Sequence, residues 1–200
     1  MTRGRRCSRT RCGRQPGVTP PDPDALALLD ATRDLADRVW RSQASPAARA
    51  AVAAEVARLV AQLGPFDEEA PVRTELGGAL PGRGHPLLPP MVHGGDGRRR
   101  IGTVTYTRAH AGAGDAVHGG QVTLLFDEML GGVAGTAAAS RTASLTVHYR
   151  SLTPMGTELA VEGWVDRVEG RKIYVRGRLL DGDRVCAEAE GLFVAVDDWS

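Results

Sequence analysis

Residues 118–136 read HGGQVTLLFDEMLGGVAGT, His118 to Thr136. Val122, Leu125, Phe126, Met129 and Val133 recur at helical spacing and form one apolar stripe. Leu124 and Leu130 fall outside that stripe, so the segment is apolar almost all round. That is the pattern of a buried helix, expected from Gly120 to about Thr136. Gly131, Gly132 and Gly135 would weaken an exposed helix by roughly 1 kcal/mol each, but in a buried one they let a strand approach closely. Asp127 and Glu128 interrupt this segment, and no Lys or Arg occurs between Gly119 and Ser140. An unpaired carboxylate is costly to bury. Asp127 therefore either faces solvent or lies on a wet pocket wall where its charge is used. Glu128 is its rival, about 100° further round the helix, so the two cannot serve one small site.

Downstream, short alternating segments follow. Strands are expected at 101–108, 142–152, 158–168, 171–180 and 185–196. In the second, Ala143, Leu145, Val147 and Tyr149 fall on one face, and Thr142, Ser144, Thr146 and His148 on the other. Gly170 and Asp181-Gly182 mark tight turns. Glu188 and Glu190 can pair with Arg176 and Arg178 across the last hairpin. The last four strands, joined by short turns, read as an antiparallel meander. The fold class is thus α+β, with one helix covering the apolar face of an antiparallel sheet.

Upstream, Leu28, Ala31, Leu35 and Val39 form one helical face after a capping Asp24. Ser45-Pro46 opens a second helix carrying Val52, Val56, Leu59 and Leu63, which Gly64-Pro65 stops. The organisation expected is a disordered Arg-rich tail over 1–20, a helical hairpin over 21–64, a Pro/Gly-rich linker over 65–90 and the main domain over 91–198.

The net charge of +1 is unevenly placed. Six Arg precede residue 20, and the remainder holds 19 basic against 24 acidic residues. An acidic body does not suit nucleic acid. No apolar run is long enough for a membrane span, and the N-terminus lacks the apolar core of a secretory signal. The three cysteines, Cys7, Cys12 and Cys186, have no disulfide spacing, which suits a reducing compartment. The chain reads as cytoplasmic. Cys7 and Cys12 lack two further ligands, and no two of His85, His93 and His110 have metal-ligand spacing, so no metal is expected.

Chemistry concentrates on the helix. The free N–H groups at its start, after His118-Gly119-Gly120, can polarise a carbonyl or hold an oxyanion. Asp127, about two turns on, can orient or deprotonate water, or attack directly. The pair suits hydrolysis of an activated acyl group.

The set HGGxxxxLFDExxG (118–131), TASLTVHY (142–149), Pro154 with Gly156, and VEGRK (168–172) resembles the PaaI-like thioesterases of the hotdog-fold superfamily. The resemblance spans roughly residues 100–196. It implies a sheet wrapped around one long helix, and acyl-CoA hydrolysis to a free acid and CoA at a site formed between subunits of a homodimer or homotetramer. It implies no cofactor beyond the coenzyme A of the substrate. Asp127 matches the catalytic carboxylate. Gly119 or Gly120 matches the N–H that polarises the thioester carbonyl, and His118 the histidine that shapes that turn. Thr142 matches a hydroxyl, supplied by the partner subunit, that orients the water or the Asp. Arg171 and Lys172 match positions that contact coenzyme A phosphates. Two alternatives stay open: a thioesterase acting on acyl carrier protein, and a non-catalytic acyl-CoA-binding module. A polar residue found shortly before the HGG in some relatives is absent here, where Ala111-Gly112-Ala113-Gly114-Asp115 stands.

Overall fold

The structure is a computed structural model that describes residues 23–40, 42–64, 80–95 and 97–196. The expected tail and most of the expected linker lie outside the described residues.

The central helix is α3, Gly119–Ala134. Val122, Leu125, Phe126, Met129 and Val133 are all buried on it, as the stripe requires, and Leu130 outside the stripe is buried too. Six strands form one antiparallel sheet: β1 (Val92–Gly94), β2 (Arg99–Thr105), β3 (Ser140–Tyr149), β4 (Glu158–Glu169), β5 (Lys172–Asp181) and β6 (Arg184–Ala195). The sheet wraps α3, and the core lies between them, closed by Tyr106, Leu159, Val161, Ile173, Val175 and Phe193. This is the hotdog arrangement.

The strand order is β1-β2-β4-β5-β6-β3. Only β4, β5 and β6 form a meander. The expected four-strand meander fails because residues 150–157 carry the chain across from β3, which pairs with β6 at the sheet edge. β2 takes the place beside β4 instead. The short strand β1 was not legible in the sequence.

Close approach of α3 to the sheet comes from strand glycines and from Gly132 on the helix, where a Cβ would meet the Arg100 guanidinium of β2. A Cβ at Gly163 would meet Leu130, Met129 and Val133 at 3.0–3.2 Å, and one at Gly177 would meet Leu130 at 3.1 Å and Phe126 at 3.3 Å. Gly131 has only ordinary contact with Phe193, at 3.6 Å.

Helices α1 (Pro23–Trp40) and α2 (Pro46–Gln62) both form. Ser45 caps α2 by accepting from the Ala48 N–H at 3.2 Å. No residue of α2 is buried. α1 docks, but not through the expected stripe: Leu28 and Val39 are exposed. Its inward face carries Leu29, Arg33 and Asp37 at four-residue intervals. Arg33 Nη2 donates to the carbonyls of Pro81 (3.0 Å), His85 (3.2 Å) and Leu88 (3.4 Å). Asp37 accepts from the Thr107 hydroxyl (2.8 Å) and the Ala109 N–H. Among the described residues, no helix is long and apolar enough to cross a membrane.

The outer sheet face is a charge network. Glu162 is buried there and accepts from Arg99 (2.6 Å) and Arg178. Arg176 pairs with Glu190 (3.3 Å) as expected, but Arg178 turns to Glu162, and Glu188 takes Arg150 instead (2.8 Å).

Candidate active site

Asp127 sits on α3 opposite the start of β3. The Thr142 hydroxyl donates to Asp127 Oδ1 at 2.9 Å. Simple alternation placed Thr142 on the face opposite Leu145. A register shift between Thr142 and Ser144 corrects this. Thr142 pairs with Phe193 and Leu145 with Gly191, both on the helix-facing side. The extra residue, Ala143, re-aims Thr142 at the helix, as bulges do beside functional sites. The bond is made within one chain, whereas the family resemblance had assigned this hydroxyl to the partner subunit. The short turn from Ala134 to Ser140 brings β3 straight back along α3.

Glu128 lines the same cavity as Asp127 but is bound to a cation. It is paired with Arg83 Nε at 2.6 Å, with a second bond from Arg83 Nη2 at 2.9 Å. Arg83 stands 45 residues upstream in the 3-10 turn Pro81–Gly84, at φ 55°. That is an unusual backbone for a residue with a Cβ. Arg33 of α1 braces the same turn through the Pro81 carbonyl. No local sequence pattern near Glu128 announced this partner.

Asp127, Glu128 and Thr142 line one cavity of about 820 Å³, walled by Leu125, Phe193 and Met91 and by Arg83, Arg100 and His93. Burial lowers the His93 pKa from its ordinary value, and the nearby Arg100 charge adds to this.

The helix N-terminus lies apart from that cavity. His118 is the N-cap: its Nδ1 accepts from the Gly120 N–H at 3.0 Å. The Gly120 donor is therefore occupied, and of the two expected candidates only Gly119 keeps an N–H with no hydrogen bond among the described residues. The Gly119 carbonyl accepts from the Tyr149 hydroxyl (2.9 Å) and the Thr123 hydroxyl (3.2 Å). Eight residues of helix separate Gly119 from Asp127 by about 12 Å along the axis. His118, Gly119 and Gly120 do not line the cavity. Within one chain the donor and the carboxylate do not meet, contrary to their reading as a pair on a single helix.

Arg171 and Lys172 occupy the β4–β5 turn and its end. Arg171 donates from Nε (3.0 Å) and Nη2 (2.8 Å) to the Ala195 carbonyl. Val194 pairs with Arg141 on one side and Lys172 on the other. These basic residues thus gather at the sheet end where β3 begins. His148 pairs with Glu188 on the outer face, away from the cavity. Asp115 is exposed. Among the described residues, no group of three or more His, Cys, Asp or Glu could hold a metal ion.

Comparison with known proteins agrees with this fold. The thioesterase superfamily model aligns with residues 114–188, which include α3, Asp127 and Thr142. The bovine acyl-coenzyme A thioesterase THEM4 is 30% identical over 83 residues, 40% of this chain and 34% of that protein. Its mouse counterpart is 29% identical over 83 residues, 36% of that protein. The chain thus spans about a third of the length of the curated relatives it matches. The PaaI protein of E. coli shares the fold, at a TM-score of 0.50 and 16% identity over 53% of this chain and 79% of that one. A crystal structure of a thioesterase superfamily protein superposes at a TM-score of 0.72, with 32% identity over 88% of this chain and 97% of that one. With a relative matched along nearly its whole length, and with α3 and the Asp127–Thr142 pair inside the family match, the chain belongs to the thioesterase superfamily.

Proposed function

We propose that this protein hydrolyses acyl-CoA thioesters to a free acid and CoA. The observation that carries the proposal is Asp127, held by Thr142 at the wall of a large cavity and paired with no cation among the described residues. The hydroxyl occupies Oδ1, and Oδ2 is left to take a proton from water. The water oxygen then bonds to the thioester carbon as Asp127 takes its proton. The tetrahedral oxyanion collapses, the C–S bond breaks, and the departing thiolate recovers a proton.

The oxyanion needs a helix N-terminal N–H donor, which Asp127's own chain does not bring to the cavity. A second copy supplies it through its own Gly119 N–H. The supporting observation is that β3 is a ten-residue edge strand, pairing with β6 on one side only. An open edge of that length is a template for another chain. Tyr149, which fixes the Gly119 turn, lies at the end of this strand and is half-exposed. Arg171 and Lys172, at the end of the same sheet, bind the coenzyme A phosphates in this reading. The site operates in a homodimer or a dimer of dimers.

The test is CoA release from short, long and aromatic acyl-CoAs, with the oligomeric state measured alongside. Turnover by a dimer or tetramer supports the reading. A protein that turns over carrier-protein thioesters but no CoA thioester contradicts the substrate assignment. One that binds acyl-CoA without turnover is a binding module.

A further inference from the structure

Arg100 is the cation that the hydrolytic scheme leaves unused. It stands on β2, and its guanidinium lies against Gly132 of α3, where any Cβ would collide with it. It is half-buried in the wall of the Asp127 cavity. Its guanidinium makes no hydrogen bond or ion pair among the described residues. The two carboxylates of the cavity do not serve it: Glu128 binds Arg83 and Asp127 accepts from Thr142. Burial pulls the Arg100 pKa below its ordinary value, with no neighbouring charge opposing the shift. An arginine does not shed its proton in response, so its charge stays in the wall without a counter-ion among the described residues.

We infer that Arg100 selects the substrate: the cavity takes an acyl group that carries a carboxylate at its far end, the half-thioester of a dicarboxylic acid. This rests on the acyl-CoA reading above. The planar guanidinium fork matches a carboxylate bidentately, and a partly desolvated pair is stronger than one in water. Gly132 lies five residues beyond Asp127, about 7–8 Å along the helix axis and about 140° round it, and both line the one large cavity, whose length a short diacid chain bridges. Leu125 and Phe193 supply apolar wall for the methylene groups between the two ends. The phosphates of coenzyme A are not rival occupants, because the whole pantetheine arm separates them from the sulfur. The amide carbonyls of that arm are, and the test separates them.

Compare kcat/KM for matched pairs: succinyl- with butyryl-CoA, glutaryl- with valeryl-CoA, and adipyl- with hexanoyl-CoA. The wild type prefers the diacid in at least one pair. Arg100→Met lowers that ratio roughly 10- to 100-fold, the size of a lost hydrogen bond to a charged group. Arg100→Lys, which keeps the charge and loses the fork, gives an intermediate ratio. Gly132→Ala lowers the same ratio by displacing the guanidinium. A wild-type ratio at or below one in every pair overturns the inference. So does an Arg100→Met protein that loses activity equally on both members of a pair, which assigns Arg100 to the pantetheine amides. If no CoA thioester turns over at all, the hydrolase reading fails separately, and thermal shifts with glutaryl- and valeryl-CoA then decide. A larger shift with glutaryl-CoA that disappears in Arg100→Met supports the inference, and equal shifts overturn it.

Discussion

The Thr142 hydroxyl reaches Asp127 Oδ1 across 2.9 Å because a bulge at Ala143 turns it toward the helix. The bond fixes one carboxylate oxygen and so aims the other. Thr142→Ala should lower kcat by roughly tenfold, the share of an orienting hydrogen bond in general-base catalysis. Thr142→Ser should keep most of the activity. Steady-state kcat and KM on one good substrate check both, and an unchanged kcat in Thr142→Ala would remove Thr142 from the mechanism.

Arg33 ties α1 to the segment that carries Arg83. Its three carbonyl contacts hold residues 81–88 against the domain. Arg33→Met should cost about 2 kcal/mol, because three backbone acceptors lose a charged donor. Limited proteolysis should then cut within 80–91, a segment that resists cleavage in the wild type. KM should rise as the cavity wall loosens. An unaltered digestion pattern would show that α1 is not a brace.

Glu162 links acid stability to the outer face. Burial raises its pKa, but the bonds from Arg99 and Arg178 outweigh burial and hold it below the ordinary carboxylate value. A carboxylate depressed on folding contributes fully above its unfolded pKa, about 4.3, and that contribution is lost as pH falls through the folded value. Glu162→Gln should therefore lower stability by roughly 2 kcal/mol at pH 7. The gap between the two proteins should close on acidification below about pH 4. Urea unfolding across pH 3–7 reads this directly, and a gap that stays constant would contradict it.

The stripe of α3 was legible because a fully buried helix is apolar on every side but one, and its single carboxylates stand out. The alternating strands and the turns at Gly170 and Asp181-Gly182 were legible for the same reason: a half-buried strand alternates, and a tight turn needs its special residues. What was hidden depended on long-range placement. Nothing near Glu128 indicated Arg83, because the two meet only after 45 residues of chain fold back. A bulge adds one residue without changing composition, so strict alternation put Thr142 on the wrong face. The order of strands was misread because β3 and β4 are neighbours in sequence, while the crossover at 150–157 separates them in space. On α1, polar Arg33 and Asp37 do the docking, which an apolar-stripe reading passes over.

The most direct test compares CoA release by the wild type, Asp127→Asn and Glu128→Gln on the best acyl-CoA, with folding and oligomeric state checked for each. The account predicts that Asp127→Asn loses at least about a hundredfold in kcat, the usual contribution of a positioned base. Glu128→Gln should lose far less, because that carboxylate serves Arg83. Equal turnover by the wild type and Asp127→Asn, or a hundredfold loss in Glu128→Gln alone, would contradict it.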